Sequence, residues 1–368
     1  MNADLDDLLR RDGLRVLLCV GTGGVGKTTL SAAVAARAAM LGRRVLVVTI
    51  DPARRLGQAM GLDALAHEPS PVSLPGAAGS LQAMMLDVRH AFDRALTAQV
   101  SAAEAERIRV NPFYKALAET FSGTQEYVAM EAIGELQRRA DAGEWDLLVV
   151  DTPPSASALD FLDGPSRLES LAHNPLLRVV LGLPRGPFGF LDAGAAFAGR
   201  ALDAILGGRL FGDLRTFLRV FERAVLAFES HAAATRQLLA SEAAGFLVVA
   251  APRPGPAAEA LALVRRLRAD RLPLRGVLVN QVTVPVEVDP ERLADAEESA
   301  PAAQRAVLRH HRLRLAQAEA EHRAIAGLLR TGVPAISIAR RDGGVNDLAS
   351  LLALFAPLEQ QPAPGLDV

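Results

Sequence analysis

The sequence predicts an α/β fold with a mostly parallel sheet of seven or eight strands and an inserted helical subdomain. Three observations carry that prediction. Short apolar runs, among them Val16 to Val20, Arg44 to Ile50, Trp145 to Asp151, Phe246 to Ala251 and Val333 to Ile338, alternate with stretches of helical composition. The runs are continuous rather than alternating, as in strands buried on both faces. Two long helical segments, about 91–142 and 160–242, interrupt the alternation.

The chain begins with an acidic stretch, Met1 to Asp12, that lacks the apolar core of a signal peptide. The longest apolar candidate for a membrane span, Phe188 to Leu206, carries Asp192, Arg200 and Asp203, so no span is expected and the location is read as cytoplasmic. Forty basic residues face 42 acidic ones, a net charge of −2. That balance gives no field for nucleic acid or membrane. One cysteine, Cys19, excludes an internal disulfide and a CxxC zinc clamp; in the first strand it reads as a small buried hydrophobe. Half of the 368 residues are hydrophobic, enough for one large domain over 1–358, with a proline-containing tail, 359–368, read as disordered.

The first strand runs into Gly21-Thr22-Gly23-Gly24-Val25-Gly26-Lys27-Thr28-Thr29, and a helix over Leu30 to Leu41 follows. Strand, glycine loop, Lys-Thr and helix is the phosphate-binding P-loop in its confirming context. Glycines let the backbone wrap a polyphosphate, and the N–H groups of Gly23, Gly24, Val25 and Gly26 face the anion with the positive end of the helix. Lys27 would sit against the β and γ phosphates, and the Thr28 hydroxyl would ligate Mg²⁺. Only Lys27 and Lys115 are lysines in an arginine-rich chain. A compact ammonium fits between phosphate oxygens where a planar guanidinium does not.

The second strand, Arg44 to Ile50, ends at Asp51-Pro52-Ala53-Arg54, at the sheet edge where doubly wound folds bind ligands. Glu68 to Gly79 reads as a loop, and Leu81 to Leu86 as a strand, with helix as the alternative at Met84-Met85. Trp145 to Asp151 is a Walker B strand whose terminal carboxylate would hold the Mg²⁺ shell through water. Thr152-Pro153-Pro154 follows as a stiff turn. Leu274 to Val279 is a strand ending in Asn280-Gln281, and Val282 to Ala300 an acidic loop or short helix. Ala302 to Leu329 is a long helix with a basic first half, read as a solvated face or as a phosphate or partner patch. Asn346 to Phe355 closes the fold as a helix.

Taken in order, the glycine loop, the Asp-Pro-Ala turn, the Asp-Thr-Pro turn and the late Asn-Gln resemble the ArsA family of ATPases, over roughly residues 14–355. This family of deviant Walker A P-loop NTPases includes the arsenite-pump and guided-entry ATPases, in a wider class with MinD and ParA. The resemblance implies ATP and Mg²⁺ as ligands. It implies that Thr29 reaches the α-phosphate and that Asp51 polarises the attacking water, with a helix N-cap as the alternative role of Asp51. It gives Asp151 the Mg²⁺ shell. It also implies that Asn280 reads adenine through its amide, with a strand-end turn residue as the alternative.

Departures narrow the reading. The family's loop lysine, which reaches across a homodimer, is Thr22 here. A cation supplied in trans is worth about 10³ to 10⁵ in rate. Slow hydrolysis, replacement by Arg54 or Arg55, or pairing with a lysine-bearing paralogue are the three expectations. The helical inserts correspond to the client-binding region of guided-entry proteins, yet among six methionines only Met130 lies in them. An ordinary core or a fixed partner interface therefore stands beside a hydrophobic-client groove. A MinD- or ParA-like spatial regulator and a weakly hydrolysing scaffold subunit are the alternatives from other classes.

Overall fold

In the computed structural model of this chain, the described residues are 2–50, 55–87, 100–115, 125–153, 233–284, 288–341 and 343–355, with scattered positions between 91 and 220. Asp51, Arg54, most of the second helical segment at 160–242, the apolar run Phe188 to Leu206 and the tail 359–368 lie outside them. The chain forms two compact units. One comprises Met1–Met85, Arg139–Ala158 and Leu239–Val368, and the other Leu86–Arg138 and Leu159–Leu238.

The first unit is built in the order α1 (Asn2–Leu9), β1 (Val16–Val20), α2 (Lys27–Met40), β2 (Arg44–Thr49), α3 (Arg55–Ala59), β3 (Ser70–Val72) and β4 (Ser80–Met85). In the second unit come α4 (Ala102–Val110) and most of α5 (Gln125–Asp141). The first unit resumes with β5 (Leu147–Asp151), β6 (Ala244–Ala250), α6 (Pro254–Ala269), β7 (Leu274–Val282), α7 (Pro290–Ser299), α8 (Ala302–Leu329), β8 (Ala335–Ala339) and α9 (Leu348–Leu352). A 3-10 turn, Ala353–Phe355, follows.

The eight strands form one sheet in the order β3-β4-β2-β5-β1-β6-β7-β8. Every pairing is parallel except β3 with β4. β3 corrects the expectation of a loop over Glu68 to Gly79. It is a three-residue edge strand containing Pro71, a residue tolerated there because an edge need not donate to a further strand. Met84 and Met85 are strand, paired with Val48 and Thr49. Residues 290–299, left open between loop and helix, form α7.

β1 is the hinge of the topology. From β1 the chain passes through α2 to β2 on one side, and after β5 it returns to β6 on the other side of β1. Connections that diverge in this way leave a crevice at the C-terminal ends of β1 and β5. α2 packs beneath it as a helix buried on nearly every side: Leu30 and Ala32 to Ala36 are fully inaccessible. Such a helix must be apolar all round, and its alanines add little bulk between the sheet and the residues of α1 and α9 in the same core.

Arg43, just before β2, ties the opposite edge together. It is buried, 7% exposed, and its guanidinium donates to four carbonyl oxygens. Nη1 reaches Leu9 and Arg11, both at 2.9 Å, and Nη2 reaches Leu14 at 2.7 Å and Asp146 at 2.8 Å. Burial lowers its pKa from the ordinary value, while the charge of Asp146 opposes that shift. Only the five-donor fork can satisfy carbonyls in several directions at once. Each buried acceptor left unpaired costs about 1–3 kcal/mol. Arg43→Met should therefore lower the unfolding free energy by about 3 kcal/mol or more, and Arg43→Lys by less, read as shifts in urea midpoint. An unchanged midpoint in Arg43→Met would remove the guanidinium from this role.

Candidate functional site

The glycine loop joins β1 to α2 through backbone that only glycine enters freely. Gly24 has φ +74° and Gly26 φ +90°. Gly26 is also the N-cap of α2, and no side chain caps the helix; its first turn carries no acidic residue. The N–H groups of a helix's first turn have no intrahelical acceptors, and they carry the positive end of the helix dipole. With these N–H groups uncapped by a side chain, the helix start can take an anion.

Gly24, Gly26, Lys27, Thr28 and Thr29 line a cavity of about 410 Å³ with Arg55, Gln58, Ala59, Thr152, Gln281, Val345 and Asn346. Among the described residues that line it there are two cations, Lys27 and Arg55, and no carboxylate. Lys27 is 5% exposed, and its ammonium donates across the loop to the carbonyl of Thr22 at 2.9 Å. Gly23 is exposed and Val25 buried. Thr22 keeps its own hydroxyl oxygen buried with no hydrogen-bond partner.

Asp151 ends β5 at full burial. Its carboxylate accepts from Thr49 Oγ1 at 2.8 Å and from Ser31 Oγ at 3.4 Å. Ser31 lies one turn beyond Thr28 in α2 and also donates to Lys27 O. Thr152 Oγ1 donates to Cys19 O at 2.8 Å, fixing the β5 exit against β1. The thiol of Cys19 lies in this layer. Burial pushes its pKa up to about 12, with Asp151 adding to the rise and Ser31 and Lys27 opposing it. The donors that a metal would meet here, the Thr28 hydroxyl and the Asp151 carboxylate, are hard oxygens. Among the described residues no group of three or more His, Cys, Asp or Glu side chains could cage an ion. Such a set fits Mg²⁺, which takes few protein ligands and keeps waters or substrate phosphates.

Asn280, expected to read a base, has its amide directed to the loop. Nδ2 donates to Val25 O at 2.9 Å, and Oδ1 accepts from Gln281 N at 2.9 Å. A Cβ on Gly26 would run into Asn280 Nδ2, so the two residues interlock. Asn280 is buried and its neighbour Gln281 lines the cavity instead. Asp51 lies outside the described residues.

Sequence reasoning did not name Gln58, Ala59, Val345 or Asn346 as cavity residues, nor Ser31 and Thr49 as partners of Asp151. A signal existed for some of them. Arg55, Gln58 and Ala59 stand at i, i+3 and i+4, one face of a helix. Val345 and Asn346 follow β8, at the same carboxyl edge of the sheet that holds the glycine loop.

Two outcomes are expected at this stage. Gly26→Ala should lower thermal stability, because a non-glycine residue is strained at φ +90° and the added Cβ displaces Asn280; Asn280→Ala should lower it less. Denaturation midpoints for both variants give the order. Cys19 should resist alkylation at pH 8 in the folded chain and react on unfolding. A folded pKa of about 12 against an ordinary 9.0 keeps the native thiol neutral, so its contribution to stability is present below pH 9 and falls as pH rises from 9 towards 12. Rapid alkylation of native protein would contradict the burial.

Residues 14–183 match the family described as anion-transporting ATPase. The protein SCO2128 of Streptomyces coelicolor is 33% identical over 298 residues, covering 79% of this chain and 67% of that protein. ATPase ARSA2 of Chlamydomonas reinhardtii is 26% identical over 79% of this chain and 74% of its own. ATPase GET3 of Malassezia globosa is 30% identical over 45% of this chain and 46% of its own. The chain spans less than half the length of several curated relatives it matches.

Proposed function

Since this chain belongs to the ArsA family of anion-transporting ATPases, we propose that it is a Mg²⁺-dependent ATPase, a nucleotide-switched dimer whose helical second unit binds a partner chain or a hydrophobic client. The observation that carries the reading is the uncapped start of α2, which opens with Lys27, Thr28 and Thr29 onto one cavity at the carboxyl edge of the sheet.

In this reading Lys27 neutralises the β and γ phosphates, and the freed N–H groups of Gly24 to Thr28 bind their oxygens. Thr28 and, through water, Asp151 would hold Mg²⁺, which would supply charge neutralisation at the phosphates. Thr29 contacts the α-phosphate. Asp51, two residues beyond the end of β2 in the sequence, orients the attacking water. Thr152, anchored on Cys19 O, begins the segment that reports the state of the γ-phosphate.

Thr22 separates two versions of this function. Its side chain carries no charge, and its hydroxyl is buried and unpaired, so it cannot send a cation to a neighbouring subunit. Arg55 lies on the cavity wall and is the candidate for that missing charge. The second version, a slowly hydrolysing subunit paired with a catalytic paralogue, rests on the same threonine. In the second unit, Met130 is fully buried in α5, so that adaptable side chain belongs to a core. A fixed partner is accordingly favoured over a varied client.

The test is ATP turnover per chain as a function of protein concentration, with Lys27→Ala as the inactive control. A rate that rises with self-association supports the homodimeric ATPase. In that case Arg55→Ala should reduce kcat by about 10³-fold or more, within the range for a catalytic cation. Tight ATP binding without turnover at any concentration supports the paralogue-dependent version. Failure of the wild-type chain to bind ATP would sink both.

A further inference from the structure

We infer that Thr49 is a positioning residue for the Mg²⁺ side of the site, its hydroxyl aiming the Asp151 carboxylate at α2. The inference rests on the ATPase reading and adds to it a residue that does not line the cavity.

Thr49 ends β2 and Asp151 ends β5, and the two are partners in the last rung of that parallel pair. On its other side Asp151 is paired with Cys19 of β1. Successive side chains of a strand alternate between faces. Thr49 therefore shares a face with Val47 and Val45, and Asp151 with Val149 and Leu147. These four aliphatic residues, with Leu17 and Cys19, belong to one core with the residues of α2. The face turns polar only at its last rung. Valine fills the two preceding positions of β2 there, so shape alone does not call for threonine at 49. What threonine adds is a hydroxyl, in a residue only 1% exposed.

That hydroxyl goes to the aspartate. Thr49 Oγ1 donates to Asp151 Oδ2 at 2.8 Å. From the next residue, Ile50 N donates to Asp151 O at 3.1 Å, so the end of β2 holds both the main chain and the side chain of Asp151. The other carboxylate oxygen, Oδ1, lies 3.4 Å from Ser31 Oγ of α2. A hydroxyl has a single proton, and that of Ser31 has a nearer acceptor in Lys27 O at 2.9 Å. Ser31 follows Thr28 by three residues, on one face of the helix. Thr49 thus ties one carboxylate oxygen to β2 and leaves the other turned to α2, whose first turn carries Thr28.

Thr49 is not among the described residues that line the cavity, and it acts through the aspartate. Outer partners that orient a metal's ligands are worth about 10- to 100-fold in metal affinity. Removal of this hydroxyl takes a charge-assisted bond from a buried carboxylate. The carboxylate is then free to turn to Ser31 in place of a water on the metal.

The experiment measures ATP affinity in excess Mg²⁺ and in excess EDTA, by competition against a fluorescent nucleotide, in wild type, Thr49→Val, Thr49→Ala and Thr49→Ser. In wild type Mg²⁺ should tighten ATP binding. In Thr49→Val, which keeps the shape of the side chain, that enhancement should fall about tenfold or more, while affinity in EDTA stays within about twofold of wild type. Thr49→Ala, which also lacks the hydroxyl, should show the same fall, and Thr49→Ser should restore the enhancement to within about threefold of wild type. An unchanged enhancement in Thr49→Val and Thr49→Ala would overturn the inference while leaving the ATPase reading standing. An equal loss of affinity in Mg²⁺ and in EDTA would also overturn it, by showing that Thr49 only supports the fold. So would a Thr49→Ser variant as impaired as Thr49→Val, or a wild type that binds ATP no better with Mg²⁺ than without. Wild type that binds ATP under neither condition would instead overturn the ATPase reading on which the inference stands.

Discussion

A glycine loop can wrap an anion because its backbone has so few steric limits, and for the same reason it has little stiffness of its own. In this protein the bond from Asn280 Nδ2 to Val25 O supplies the stiffness. It reaches the loop from β7, on the far side of β6 from β1, and Gly26 leaves the space into which the amide fits. The start of α2, the ammonium of Lys27 and the hydroxyl of Thr28 all take their positions from that anchored backbone. A bond worth about 1 kcal/mol in general therefore has a structural reach well beyond its own energy.

Beneath the loop lies a second polar layer with no solvent in contact with its carboxylate. Asp151 is fully buried among Thr49, Ser31 and the thiol of Cys19. Hydroxyl donors stabilise a buried carboxylate without adding a second full charge, which keeps the desolvation of the layer modest. Lys27 provides the opposite charge nearby, as its influence on Cys19 records. The start of α2 thus brings a cation, and the end of β5 an anion, to one edge of the sheet.

The fold was legible because buried parallel strands declare themselves as continuous apolar runs. β1 matched its run at both ends, and the helix Ala302–Leu329 did so over 28 residues. β3 was not legible: three residues, Ser-Pro-Val, lack the length and propensity to stand out from a loop. The phosphate end of the cavity was readable because its residues are contiguous and glycine has few other reasons to recur at that spacing. The remaining wall was not, since Gln58, Gln281 and Asn346 come from three elements brought together only by the sheet order. The division between Asn280 and Gln281 was the least accessible point. It turns on one extra residue in a strand pairing, and neighbouring amides look alike in a sequence.

The clasp on the loop also has a place in time. Asn280 follows Val25 by 255 residues, and chains grow at roughly 5–20 residues per second. During synthesis the loop is therefore complete for about ten to fifty seconds before its anchor exists. Over that interval β1 also lacks β6, so an apolar strand, Val-Leu-Leu-Cys-Val, waits with an open edge of the kind that invites wrong pairing. A fragment that stops short of Asn280 cannot form the clasp on the glycine loop. Until β6 arrives, the early strand is thereby a segment that gains from chaperone cover.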